Sequence, residues 1–165
     1  MESKNIKNLI DLFKSNAIKE RSSSEYLYRG CWLKEDSFPG GLWFMPTLDG
    51  AAGYVAMHAQ QCRSEGKIPY IFACGLNKDM KFYELQESHL TAFSKVYGRN
   101  WTHEEIAIDI PRAFAEIGDE SVNGFYRPQT DEYFVCKPNN HLSLIKKLKN
   151  IEALKEASRV KGRSV

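Results

Sequence analysis

The run "IPYIFACGL", residues 68–76, constrains this chain more than any other stretch. It carries no charge and is bounded by Lys67 and by the turn-forming residues Asn77 and Asp79. An apolar, β-branched and aromatic run of that length between turn signals reads as a buried strand. The rest of the chain must therefore supply elements to cover it.

Those elements alternate along the sequence. "YLYRGCWL" and "LWFMP" read as short aromatic strands separated by the turn-rich "KEDSFPGG". "TLDGAAGYVAMHAQQCRSEG" reads as a helix entered at Thr47 or Asp49 and ended near Gly66. "KDMKFYEL" follows as an extended piece. Helical spacing is expected over "ESHLTAFSKVYG", stopping at Gly98. It is expected again over "THEEIAIDIPRAFAEIG", where Thr102 and Glu105 occupy capping-box positions. Pro111 either ends or kinks that helix or begins it. "NGFYR" and "EYFVCKP" are strands joined by the loop "PQTD". "HLSLIKKLKN" is either a last strand or the run-in to the closing helix "NIEALKEASRV". At the other end, Ile6, Leu9, Ile10, Leu12 and Phe13 have helical spacing and predict an amphipathic helix over residues 4–20.

Strands and helices in this order predict an α+β fold with a mostly antiparallel or mixed sheet flanked by helices. No repeat, low-complexity segment or domain boundary interrupts it. The expected organisation is one domain, 1–165, with an N-terminal helical region over 1–24, a core over 25–148 and a basic C-terminal helix and tail over 149–165.

Composition narrows the class. The chain has 165 residues, of which 42% are hydrophobic and 27% charged, enough for a globular core. Its net charge of +2 is too near neutral to argue for nucleic acid by itself. Cys31, Cys62, Cys74 and Cys136 form no C-x-x-C pair, so reduced thiols are expected and no metal is called for. The N-terminus lacks the basic and apolar regions of a signal peptide, and no apolar run is long enough to span a bilayer. A cytoplasmic protein with no membrane partner is the expectation, with signal-less delivery into another cell left open.

Three places carry candidate chemistry. In "YLYRG", Arg29 can fork onto a phosphate or carboxylate, and Gly30 beside it permits close backbone approach. The alternative is an edge-strand arginine in solvent. In "GLWFMPTLDGAAGYV", Trp43 or Phe44 can face Tyr54 across a slot one ring thick, with Ala51, Ala52 and Gly53 leaving room for a planar heterocycle. Aromatics at this spacing are also common core residues. In "QTDEYFVCKP", Asp131 and Glu132 point to opposite faces of the strand mouth. One of them can stabilise a cationic transition state or accept a hydrogen bond from a ribose hydroxyl, and the alternative is a solvated acidic turn.

Taken in order and spacing, "YRG", "LWFMPTLDGAAGYV" and "DEYFVCKPNNHLSLI" resemble the mono-ADP-ribosyltransferases of the bacterial toxin superfamily, over roughly residues 25 to 148. The resemblance implies an ADP-ribosyltransferase-like fold and NAD as substrate, with no metal. It implies Arg29 at an NAD phosphate or ribose and Gly30 holding the nicotinamide carboxamide through its backbone. Tyr54 would stack on the nicotinamide with Trp43 or Phe44 opposite, and Glu132 would be the catalytic glutamate.

The match is a mosaic. Where the arginine-type branch has a Ser-x-Ser strand, this chain reads Met45-Pro46-Thr47, so only Thr47 can supply the hydroxyl. Where the diphtheria-toxin-like branch has a histidine, this chain has Arg29. The acceptor-choosing position two residues before Glu132 is Thr130, preceded by Gln129, so the Glu-x-Glu of arginine-modifying members is absent. The implied activity is transfer of ADP-ribose to a macromolecular acceptor, protein or nucleic acid, by a toxin or effector. An NAD glycohydrolase on the same fold and a non-catalytic binding member are the alternatives. The basic run "IKKLKNIEALKEASRVKGR" reads either as a docking helix for nucleic acid or an antitoxin-like protein, or simply as a solvated amphipathic helix.

Overall fold

The computed structural model describes residues 17–35, 43–86, 123–135 and 137–163, together with Asp11, Ser88, Thr91 and Lys95. It is α+β, with antiparallel and mixed sheets and flanking helices. The chain divides into two compact units, each assembled from separate segments: Met1–Arg21 with Met80–Cys136, and Ser22–Asp79 with Lys137–Val165. Composition holds no mark of that division, because each unit closes only when distant segments pair.

In the second unit, β2 (Tyr26–Leu33), β4 (Ile68–Leu76) and β8 (Leu142–Lys149) form an antiparallel sheet in the order β2-β4-β8. The expected buried strand is the middle one, and Ile71, Phe72 and Cys74 on it are fully buried. "HLSLIKKLKN" resolves into a short helix α3 (Pro138–His141), strand β8, and a turn at Asn150 into helix α4 (Ile151–Arg163).

The long helix expected from Thr47 is interrupted. Helix α1 (Leu48–Met57) stops at His58, whose φ of −102° and ψ of 6° leave the helical region, and α2 (Ala59–Ser64) follows. The stop near Gly66 is as expected, with φ at +73°, a conformation that favours glycine after a helix.

Helix α1 and helix α4 cover one face of this sheet. Trp32, Ala51, Ala52, Val55, Ile71, Ala153 and Ala157 form the buried cluster there. The Trp32 indole nitrogen donates to the Val55 carbonyl at 3.1 Å, tying β2 to α1. Arg159 of α4 holds Asp49 in the first turn of α1 and also pairs with Glu156 at 2.8 Å. The basic C-terminal helix is thus packed into its unit along an alanine face, not free to dock as a whole.

In the first unit, β1 (Ile18–Arg21), β5 (Met80–Glu84), β6 (Gly124–Arg127) and β7 (Glu132–Val135) run in the order β1-β5-β6-β7. The β5–β6 pair is parallel and its neighbours are antiparallel. Met80, Phe82, Phe125, Tyr133 and Val135 are buried. Residues 18–20, expected as the end of the N-terminal helix, are instead part of strand β1, which runs to Arg21 and pairs with Met80–Tyr83. Pairing with a distant strand overrides local helical spacing. Asp11 is helical, and the rest of residues 4–16 lies outside the described residues. So does most of the helix expected over 87–98, of which Ser88, Thr91 and Lys95 are helical, and all of that expected over 102–118. Among the described residues no helix is long and apolar enough to cross a membrane.

Candidate active site

Arg29 lies at the centre of β2, on the face opposite Tyr28 and Gly30. It is half-buried. One guanidinium nitrogen, Nη1, donates to the Trp43 carbonyl at 2.7 Å, so part of the fork braces the short strand β3 (Trp43–Phe44). That strand leads to Met45, which exchanges two backbone hydrogen bonds with Tyr28, at 2.8 and 2.6 Å. The Arg29 Nε is buried and has no hydrogen-bond partner among the described residues. A buried donor left without a partner is uncommon and calls for an explanation. Cys31, two residues along the same face, adjoins the guanidinium. Burial pushes its thiol up to about 11, with Arg29 pulling the other way.

The close approach that Gly30 permits is made by helix α1. A Cβ on Gly30 would stand 2.1 Å from the Ala51 carbonyl oxygen and 3.1 Å from a Val55 methyl. Ala51 and Ala52 are likewise fully buried in the packing of α1. Small residues here let a helix settle onto a strand and against Ala153 and Ala157 of α4. They line the core; a Cβ on Gly53 would stand 4.0 Å from a Val160 methyl.

The aromatics of this stretch separate. Phe44 is buried, at 1% exposure, and belongs to the core. Trp43 is half-buried. Tyr54 is 43% exposed, at the margin of the α1 face that buries Ala51 and Val55, so it is not a core residue. Its ring contact is with His58, at 4.4 Å between centroids and 47° between planes. Thr47 caps α1, its hydroxyl oxygen accepting from the Gly50 N–H at 3.0 Å. A groove of about 210 Å³ runs along the seam of α1 and α4, lined by Gly53, Ala56, Met57, Val160 and Lys161. None of the residues assigned to NAD lines it.

The acidic end is built in the other unit by the hairpin β6–β7. The turn Pro128–Gln129–Thr130–Asp131 is exposed, and Asp131 takes a φ of +53°. The Tyr126 hydroxyl donates to Asp131 Oδ1 at 2.8 Å. Burial and the Asp131 carboxylate push that phenol up to about 12. Glu132 opens β7, half-buried, with Tyr133 beside it fully buried at 1% exposure. Among the described residues the Glu132 carboxylate makes no hydrogen bond or ion pair, although Arg127 is its register partner across the hairpin. The Arg127 Nε is also buried without a hydrogen-bond partner among the described residues.

Of the expected site, Arg29, Gly30, Trp43, Phe44, Thr47 and Tyr54 fall in one unit, and Gln129, Thr130 and Glu132 in the other. Within the first group Arg29 and Trp43 are in contact, whereas the ring partner of Tyr54 is His58. Arg127 and His58 escaped the sequence reading. Each had a signal: a four-residue loop sets Arg127 opposite Glu132, and i,i+4 spacing on a helix sets His58 beside Tyr54. Among the described residues no group of three or more His, Cys, Asp or Glu is placed to hold a metal ion.

No protein-family model and no curated protein matches the chain. Among solved structures it is similar to a chain in the crystal structure of the MbcT–MbcA toxin–antitoxin complex of M. tuberculosis, with a TM-score of 0.59. The identity is 14%, and the alignment covers 96% of this chain and 97% of that one. The likeness is one of fold.

Proposed function

We propose that this protein is a toxin-like effector that cleaves the nicotinamide–ribose bond of NAD and transfers ADP-ribose to a macromolecular acceptor. The observation that carries the reading is Glu132, a half-buried carboxylate without a hydrogen-bond or ion-pair partner among the described residues. An ionised group held partly out of water and left unpaired is costly. Enzymes keep such groups where positive charge develops during the reaction.

In the proposed reaction the glycosidic bond breaks, the nicotinamide leaves with the bonding pair, and positive charge spreads over the ribose C1′ and ring oxygen. Glu132 stabilises that charge and accepts a hydrogen bond from the ribose 2′-hydroxyl. The acceptor's nucleophile then bonds to C1′ and gives up its proton. Arg29 supports the anionic part of NAD, and exposed Tyr54 offers a ring for the nicotinamide to stack on. The fold shared with a chain of a toxin–antitoxin complex supports a protein inhibitor as partner.

Incubation with NAD labelled in the adenylate half, with and without cell lysate, tests the reading. Label on protein or RNA is the expected result. Free labelled ADP-ribose alone would make water the acceptor, and no NAD binding by titration would leave a non-catalytic member. Glu132→Gln is expected to slow nicotinamide release by ~10²–10³. A near-normal rate in that variant removes Glu132 from the mechanism.

A further inference from the structure

Strand β8 is exposed along its middle, between the buried Leu142 and the half-buried Leu148. Ser143 to Lys147 are all exposed, among them Leu144 at 46% and Ile145 at 61%. It is the last strand in the order β2-β4-β8, so no described strand lies along its outer side. Ile145 sits in the register shift opposite Ala73 and Cys74. Beyond it Lys146 to Lys149 run in regular pairing with Ala73 to Tyr70.

The strand carries Lys146, Lys147 and Lys149 and no carboxylate. The charge extends around it: residues 137–165 hold eight Lys and Arg against two Glu, which leaves the remainder of the chain net acidic. An open strand edge is a template for pairing with another strand. Lysines along an edge set like strands apart, so a second copy of this chain is disfavoured. The same charges attract a strand bearing carboxylates. The exposed Leu144 and Ile145 favour a protein segment over a nucleic acid, because they offer aliphatic contact and no hydrogen bonds to phosphate.

We infer that the outer edge of β8 is a docking site for an extended, acidic segment of a partner protein, which adds as a fourth strand beside Lys146–Lys149. Backbone hydrogen bonds hold the segment, its carboxylates meet Lys146 and Lys147, and an apolar side chain at its end covers Ile145. The inference stands apart from the NAD chemistry.

The test is fluorescence anisotropy on the full chain with a labelled ten-residue peptide of alternating valine and glutamate. The controls are the same peptide with serine for glutamate, the same peptide with proline for valine, and a labelled ten-nucleotide single-stranded DNA. Binding of the acidic peptide is expected, at least tenfold weaker for the serine and proline peptides and at least tenfold weaker for Lys146→Glu/Lys147→Glu. Amide hydrogen exchange over 142–149 should slow when the peptide is bound. If the double variant does not fold, Lys146→Glu alone and the peptide controls on the unaltered chain decide. Absence of binding, binding indifferent to the lysines, unchanged exchange in β8, or tighter binding of the DNA would each overturn the proposal.

Discussion

Arg127 and Glu132 face each other as register partners at the turn end of the β6–β7 hairpin, and no ion pair joins them. Cross-strand neighbours of opposite charge ordinarily attract. Here, among the described residues, the buried Nε of the guanidinium has no hydrogen-bond partner and the carboxylate has no ion pair.

Because the Glu132 carboxylate makes no hydrogen bond or ion pair among the described residues, Glu132→Gln should change stability by no more than about 0.5 kcal/mol while removing activity. Arg127→Gln separates two roles. A drop in kcat with unchanged Tm is expected if the arginine sets the field around Glu132. A fall in Tm with normal kcat per folded molecule would make it structural. Urea denaturation and nicotinamide release, measured on the same preparations, give both readouts.

Gly30→Ala should cost about 3 kcal/mol, at the upper end of overpacking penalties, because the new Cβ meets backbone and not a flexible side chain. Chemical denaturation checks it. A variant as stable as the parent would mean that α1 does not rest on this strand.

Tyr54→Ala should lower stability by less than about 1 kcal/mol, since the residue is 43% exposed and outside the buried core, and should weaken NAD binding in a titration. Thr47→Ala should cost about 1 kcal/mol through the lost cap. Thr47→Asp restores a cap acceptor, so recovery of stability without recovery of activity would show that the hydroxyl also meets substrate.

The thiols supply a pH test. Burial raises Cys31 to about 11 and Cys74 to about 12, so both stay protonated and poorly nucleophilic at pH 8. Of the three described cysteines, Cys62, half-buried, should react first with a thiol reagent in the native protein. A folded-state pKa above the unfolded value of 9.0 means full stability below pH 9 and loss as pH rises through 11 to 12. Tm measured between pH 8 and 11.5 should fall across that window, and less steeply in Cys74→Ala.

Much of the architecture was legible because it is local. The uncharged run 68–76 read as a covered strand, and a helix was expected to start at Thr47 or Asp49 and to end near Gly66. The acidic hairpin end at Glu132 was readable from a polar loop set against an apolar strand. Other features depend on partners distant in sequence. Residues 18–21 form a strand because Met80–Tyr83 pairs with them, and the helix pattern before them carries no trace of that partner. Ala51, Ala52 and Gly30 read equally well as room for a ligand or for a helix. Only the fold, by setting the Ala51 carbonyl over Gly30, made them packing residues. Phe44 and Tyr54 are both aromatic in sequence, but burial of one and exposure of the other follow from which face of its element meets the core. Residue type and spacing determine which elements form; long-range pairing decides which of their side chains remain available for chemistry.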